Sequence, residues 1–414
     1  MKTTYLYKLV CLGFILLLIT SCTKMNDFHD VYLKRGESVY VGRVDSAEVF
    51  AGNGRALLRF WSSDPKAKKL MLYWNSRTDS MLLDIPERSG KDPVEVIIND
   101  LEETNYFFEM ITMNQELKNR SIVFQKGGSV YGAKFQASIL TRQIRTAVFM
   151  PTGEAEIRWL GAVEKALGTD LEYTSKLGKK VKRFVPIGEE ITTISDLAGD
   201  LKYKTLFLPE PKAIDTFYTE AQSVNPGLLS ELAQSKYAKW NPVGIPYNEH
   251  SAPYPITKLW DKNLDSWYIQ KLPTRLVPTN PHNFTFDLGQ TVKLNRFKQW
   301  QRLTSGVVYQ IQNVRKFEVW GSNTPNVTAD FSGWVKLGDF ESTKPSGRPW
   351  SSAAGGNVTD EDRAYAAKGE VFIVSTVAPP VRYIRYVVKA TWSTGESSTD
   401  ADMAIGEVSF FEVK

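Results

Sequence analysis

Tyr254-Pro255-Ile256-Thr257-Lys258-Leu259-Trp260-Asp261-Lys262-Asn263-Leu264-Asp265-Ser266-Trp267 is a turn-rich stretch. A carboxylate, an amide and a hydroxyl stand in it between two tryptophans. Further on comes Asn283-Phe284-Thr285-Phe286-Asp287-Leu288-Gly289, which alternates apolar and polar residues and reads as a strand running into a turn. Four more short stretches of strand character follow. They are Asn295-Arg296-Phe297-Lys298-Gln299-Trp300-Gln301-Arg302, Phe317-Glu318-Val319-Trp320-Gly321-Ser322-Asn323, Val381-Arg382-Tyr383-Ile384-Arg385-Tyr386 and Ile405-Gly406-Glu407-Val408.

In this order the six stretches resemble the landmarks of the discoidin domain, also called the coagulation factor 5/8 type C domain. That family has a β-sandwich, jelly-roll-like fold shared with galactose-binding-like modules. The resemblance covers roughly residues 228–414. It departs from the family at Lys262, where Gly is usual, and in lacking the usual disulfide pair. It also departs in a long insertion, 333–369, which carries Asp360-Glu361-Asp362 and reads as a solvated loop. Asn225-Pro226-Gly227 marks the entry to the module, with a helical turn or two expected within 228–239.

The resemblance implies a site as well as a fold. Many sugar-binding members hold a structural Ca²⁺; carried over, its oxygen donors are Asp261, Asn263, Ser266 and Glu407. A hydrogen-bonded loop without metal is the alternative, since Lys262 brings a competing cation. Sugars are taken by loops at one end of such sandwiches, here 247–254, 302–309 and 392–397. Tyr247, Tyr254, Tyr309 and Trp392 are the candidate stacking rings, and Asn248, His250 and Arg302 the candidate hydrogen-bonders. Trp267, Trp300, Trp320 and Phe286 fall at strand or landmark positions and are expected in the core.

Upstream, Ala56–Trp61, Leu70–Trp74 and Val94–Ile98 read as strands. The run Leu101-Glu102-Glu103-Thr104-Asn105-Tyr106 resembles the corner of fibronectin type III domains. The pattern recurs about one hundred residues later. Ala155-Glu156-Ile157-Arg158-Trp159-Leu160 echoes the first strand, and Ile194-Ser195-Asp196-Leu197 with Tyr203 echoes the corner. Two tandem immunoglobulin- or fibronectin III-like sandwiches are therefore expected, at 38–140 and 141–224. Val44-Asp45-Ser46, Ser63-Asp64-Pro65-Lys66, Leu72-Tyr73-Trp74-Asn75 and Val130-Tyr131-Gly132 resemble an uncharacterised N-terminal domain of Bacteroidota surface lipoproteins.

Lys2 and Lys8 precede a short apolar run, and Leu18-Ile19-Thr20-Ser21-Cys22 resembles a bacterial lipobox. Residues 1–21 read as a lipoprotein signal peptide, Cys22 as the lipidated residue and 22–37 as a tether. Outer-membrane attachment at the cell surface is the expected location. The only other cysteine is Cys11, so the body of the protein has neither disulfide nor thiol nucleophile.

Composition narrows the function. The 414 residues carry a net charge of +5 with no dense basic run, which argues against nucleic acid. The three histidines have no zinc spacing, and 127–132 has P-loop spacing but Ala133 where Lys is required. With 11 Trp and 18 Tyr there are rings enough for both a core and a sugar platform. The expectation is an all-β, non-catalytic surface lipoprotein that binds a glycan through its C-terminal domain, 225–414. A protein-interaction or adhesion module, docking to an outer-membrane importer or to host matrix, is the alternative.

Overall fold

The computed structural model describes residues 40–87, 92–271, 282–328, 330–351, 357–393 and 402–414. Cys22 and the stretches 1–21 and 22–37, expected as signal peptide and tether, lie outside the described residues, as does 394–397 of the third expected sugar loop. The fold is all-β.

The first sandwich has seven strands: β1 Ser46–Ala51, β2 Ala56–Trp61, β3 Lys69–Trp74, β4 Asp79–Asp84, β5 Val94–Ile98, β6 Asn105–Met113 and β7 Phe124–Ser129. They form two sheets, β1-β2-β5 and β4-β3-β6-β7. The two-residue period does the sorting. Ala56, Leu58 and Phe60 are fully buried and meet Leu70, Leu72, Phe108 and Met110 from the facing sheet.

The second sandwich comprises β8 Ile144–Phe149, β9 Ala155–Trp159, β10 Ala166–Ser175, β11 Lys180–Pro186, β12 Ile191–Ile194, β13 Leu197–Phe207, β14 Phe217–Tyr218 and β15 Gln222–Val224. Its sheets are β12-β9-β8 and β11-β10-β13-β14, with β15 also on β13. The strand order repeats that of the first sandwich, so the repeat visible in sequence is one of topology as well.

The remaining strands are β16 Gly227–Glu231, β17 Ala238–Lys239, β18 Tyr268–Lys271, β19 His282–Val292, β20 Leu294–Trp300, β21 Val314–Ser322, β22 Val335–Glu341, β23 Glu370–Ile373, β24 Val381–Thr391, β25 Asp402–Ile405 and β26 Glu407–Val413. A five-stranded sheet, β17-β19-β24-β21-β22, faces the run β16-β26-β20-β23. Between them Phe284, Phe286, Phe297, Phe317, Tyr386 and Phe410 form an aromatic core. At the strand end of the second landmark, Gly289 has φ +74, and a Cβ there would lie 2.3 Å from the Lys236 carbonyl oxygen. Only glycine serves.

β16 has a second role. It pairs in parallel with β8, Gly227 opposite Val148 and Leu228 opposite Phe149, while pairing antiparallel with β26. One seven-stranded sheet, β12-β9-β8-β16-β26-β20-β23, results. The join carries an ion pair in which Arg296, only 3% exposed, donates Nη1 to Glu156 at 2.6 Å. By compactness the chain divides into two units. One is built on residues to Thr141 with Val163–Gly168 and Lys204–Glu220; the other takes Arg142–Ala162, Thr169–Tyr203 and Ala221–Lys414.

The helical turn expected within 228–239 is present as a 3-10 turn at Gln234–Lys236, after the strand Gly227–Glu231, which is paired on both sides. One local expectation is corrected. The acidic cluster is not solvated loop but the first turn of a helix, α1 Asp360–Lys368 (numbering only helices longer than two turns). Thr359 and Asp362 cap it reciprocally, and buried Asp362 also accepts from Ser346 N–H at 3.0 Å and Ser346 Oγ at 2.8 Å.

Candidate functional site

The short pair β18–β25 organises one end of the C-terminal sandwich. Trp267 directly precedes β18, and Asp402 begins β25. The 247–254 loop is tied along β18: Lys271 N–H donates to Asn248 C=O, His250 N–H to Ile269 C=O, and Ile269 N–H to Tyr254 C=O. On the other side Ala404 N–H donates to Gln312 C=O. Arg302 N–H donates to the buried Asn313 Oδ1 at 2.7 Å. Thr304 Oγ1 reaches Asp265 C=O at 3.4 Å. These hydrogen bonds bring the loops before Asp261 and after Arg302 side by side.

A stack of three planar groups results. Tyr254 lies on Trp267 with centroids 5.2 Å apart and planes at 26°. The Arg302 guanidinium sits 4.2 Å from the Trp267 centroid. His250 borders Tyr254, ring to ring at 6.1 Å, and its Nε2 is 3.8 Å from Asp402 Oδ2. Tyr254, Trp267 and Arg302 are half-buried, and His250 is exposed. The arrangement offers the Tyr254 ring, backed by Trp267, beside a cation, an imidazole and a carboxylate.

Of the expected site residues, His250, Tyr254 and Arg302 are brought together here, and Asn248 is exposed on the same loop. Three rings are not available. Tyr247 is 4% exposed, packed edge-on to Tyr268, with its backbone held by the Asn241 side chain. Tyr309 and Trp392, 1% and 5% exposed, meet edge-on at 5.3 Å in a small satellite core with Val308 and Ala366. Tyr309 turns inward because its backbone is left-handed, φ 54. These three are core rings, a correction to their reading as stacking surface. Trp267 was expected in the core and instead carries the stack. Asp402 gives no sequence signal of its own.

The residues carried over for Ca²⁺ also adjoin one another. Asp261 accepts from Asn263 N–H at 3.0 Å and from Ser266 Oγ at 2.9 Å, and pairs with Lys258 Nζ at 2.9 Å. Burial works against its charge, but these donors outweigh it and hold the carboxyl below the usual range. Glu407, 3% exposed, accepts from Gln234 Nε2 at 2.7 Å through Oε1. Its Oε2 is buried without a hydrogen bond. Burial pushes this carboxyl up to about 7, with the charge of Asp261 adding to the shift. The donor set is all oxygen, and one buried carboxylate oxygen is unsatisfied, which fits a hard cation. Lys258 already supplies one positive charge to Asp261. Among the described residues no group of three or more His, Cys, Asp or Glu converges. Lys262 adopts φ 60, so it keeps the turn that Gly would allow.

A family model, DUF4998, described as a domain of unknown function, matches residues 22–217. A second domain of unknown function, DUF5000, matches residues 260–412. No curated protein matches the chain. Among solved structures, a SusE-like protein is similar at 18% identity, over 90% of this chain and 98% of that one, with TM-score 0.39. A chitobiase fragment from Bacteroides thetaiotaomicron is similar at 19% identity over 45% of this chain and 93% of that one, TM-score 0.30. CBM32 domains of ZmpB from Clostridium perfringens, in complex with GalNAc, are similar at 10% identity over 44% of this chain and 36% of that one, TM-score 0.29.

Proposed function

We propose that the protein is a non-catalytic glycan-binding lipoprotein of the cell surface, and that His250, Tyr254, Trp267 and Arg302 take the sugar. The observation that carries this reading is the stack of Tyr254, Trp267 and Arg302, 5.2 and 4.2 Å between neighbours, at a loop end of the C-terminal sandwich. Pyranose C–H faces pack on aromatic rings, and hydroxyls at the rim need both donors and acceptors. Arg302 and His250 supply donors, and Asp402 an acceptor. Each contact is small and the site is shallow, so affinity per site is low. Ca²⁺ at Asp261, Asn263, Ser266 and Glu407 would be structural, stiffening the loop that ends in Trp267. Anchoring through Cys22 belongs to the same proposal. Cys22→Ala should move the protein to the soluble fraction or leave an unprocessed precursor; a membrane-bound product of mature mass would refute the anchor. The binding role is tested by a glycan array on the soluble chain beginning after Cys22. Retention on the array supports the sugar reading, and binding only to outer-membrane proteins would favour an interaction module.

A further inference from the structure

The outer face of the sheet β4-β3-β6-β7 holds a second feature. Strand alternation turns Tyr73, Phe107 and Glu109 away from the core that Leu72, Tyr106 and Phe108 fill. Tyr73 stands opposite Glu109 in register, and Phe107 opposite Gly127. The Phe107 ring therefore has bare backbone beside it on the neighbouring strand and is 73% exposed. Arg77 donates Nε to Glu109 at 2.6 Å, with its guanidinium 5.4 Å from the Tyr73 centroid. Gln125 Nε2 donates to the other Glu109 oxygen at 3.1 Å. Tyr73, Arg77, Asn105, Phe107 and Glu109 line a cleft of about 400 Å³.

The loop above the cleft is strained. Asn75, Ser76 and Arg77 all have positive φ, at 48, 52 and 67, and none is glycine. Three consecutive left-handed L-residues are costly, and such strain persists where it positions something. Here it carries Arg77 back over Tyr73 and onto Glu109.

We propose that this cleft is a second sugar site, on the N-terminal sandwich, which takes one pyranose by stacking on Phe107 and hydrogen-bonding to the Arg77–Glu109 pair. The chemistry favours a neutral sugar over other occupants. An anion would meet the Glu109 carboxylate, and an apolar partner would bury the ion pair without replacing its water. Hydroxyls both donate and accept, so they can satisfy Arg77, Glu109 and Asn105 together. The volume lies in the range of small-ligand sites.

The test uses the soluble full-length mature chain and four probes: the methyl glycosides of galactose, glucose, mannose and N-acetylgalactosamine. Saturation-transfer NMR is recorded for the parent, Trp267→Ala, Phe107→Ala, Glu109→Gln and the double variant Trp267→Ala/Phe107→Ala. The expected result is transfer to at least one probe that survives Trp267→Ala and falls severalfold when Phe107→Ala is added. Glu109→Gln should weaken the same probe. Thermal unfolding of Phe107→Ala should match the parent, because the ring is exposed. Loss of all transfer in Trp267→Ala, or transfer in that background indifferent to Phe107→Ala, overturns the inference while leaving the C-terminal site standing. Transfer indifferent to Trp267→Ala but abolished by Phe107→Ala supports it and removes the C-terminal reading instead.

Discussion

Arg302 covers Trp267 at 4.2 Å from guanidinium carbon to ring centroid, and its Nε is buried without a hydrogen-bond partner. The planar guanidinium fits a ring face as an ammonium does not. Arg302→Lys is therefore not conservative. It should weaken glycan binding by about 1 kcal/mol, roughly fivefold in Kd, with little change in unfolding temperature. Titration calorimetry on the two proteins checks this; equal affinities would mean that the cation, and not the stack, matters.

Two buried carboxyls should make stability fall as pH rises. Glu370, 5% exposed, accepts from Gln301 Nε2 at 2.8 Å, Ser342 Oγ at 2.6 Å and Thr343 N–H at 3.3 Å, and among the described residues it has no ion-pair partner. Burial pushes it up to about 7, as it does Glu407. The folded state then binds the proton more tightly than the unfolded chain does. The stability from the protonated form is whole below the unfolded value of 4.5 and is lost as pH climbs through about 7. For Glu370 the loss is on the order of 3 kcal/mol. Unfolding midpoints should drop between pH 5 and pH 8, and Glu370→Gln should flatten that slope whatever its offset. An unchanged slope would mean that water reaches Glu370.

The same linkage sharpens the metal test. A cation at Glu407 requires the ionised carboxylate, so Ca²⁺ should raise the unfolding midpoint more at pH 8 than at pH 6. Chelation should lower it by the same margin, and Glu407→Gln should abolish the difference. A midpoint indifferent to Ca²⁺ and chelator at both pH values would leave Lys258 as the counter-charge of Asp261.

Strand positions were legible because alternation maps directly onto burial. Ala56–Trp61 alternates buried and half-buried residues throughout, and the five later landmarks lie on strands, while the first, 254–267, is a loop with a 3-10 turn ahead of β18. The β8–β16 pairing was not legible, since only two residues of each strand meet and their partners are distant in sequence. Loop aromatics were the weak point. Nothing in the local sequence distinguishes Tyr254, which stacks at the surface, from Tyr309, which a left-handed backbone turns inward. Trp267 was misread for the opposite reason: a landmark position suggested core, while the cover over its ring comes from Arg302, far along the chain. The helix α1 did have a signal, the Thr359–Asp362 capping pair, hidden in a segment whose Ser and Gly content suggested loop.

Tyr254, Trp267 and Arg302 are proposed as the sugar platform on the strength of their stacking. Affinity electrophoresis of the soluble chain, in gels containing the polysaccharide best retained on the array, is the decisive test. Tyr254→Ala and Trp267→Ala should each lose most of the retardation attributable to the C-terminal site, with circular dichroism still that of a folded β protein. Undiminished retardation in both folded variants would contradict the account.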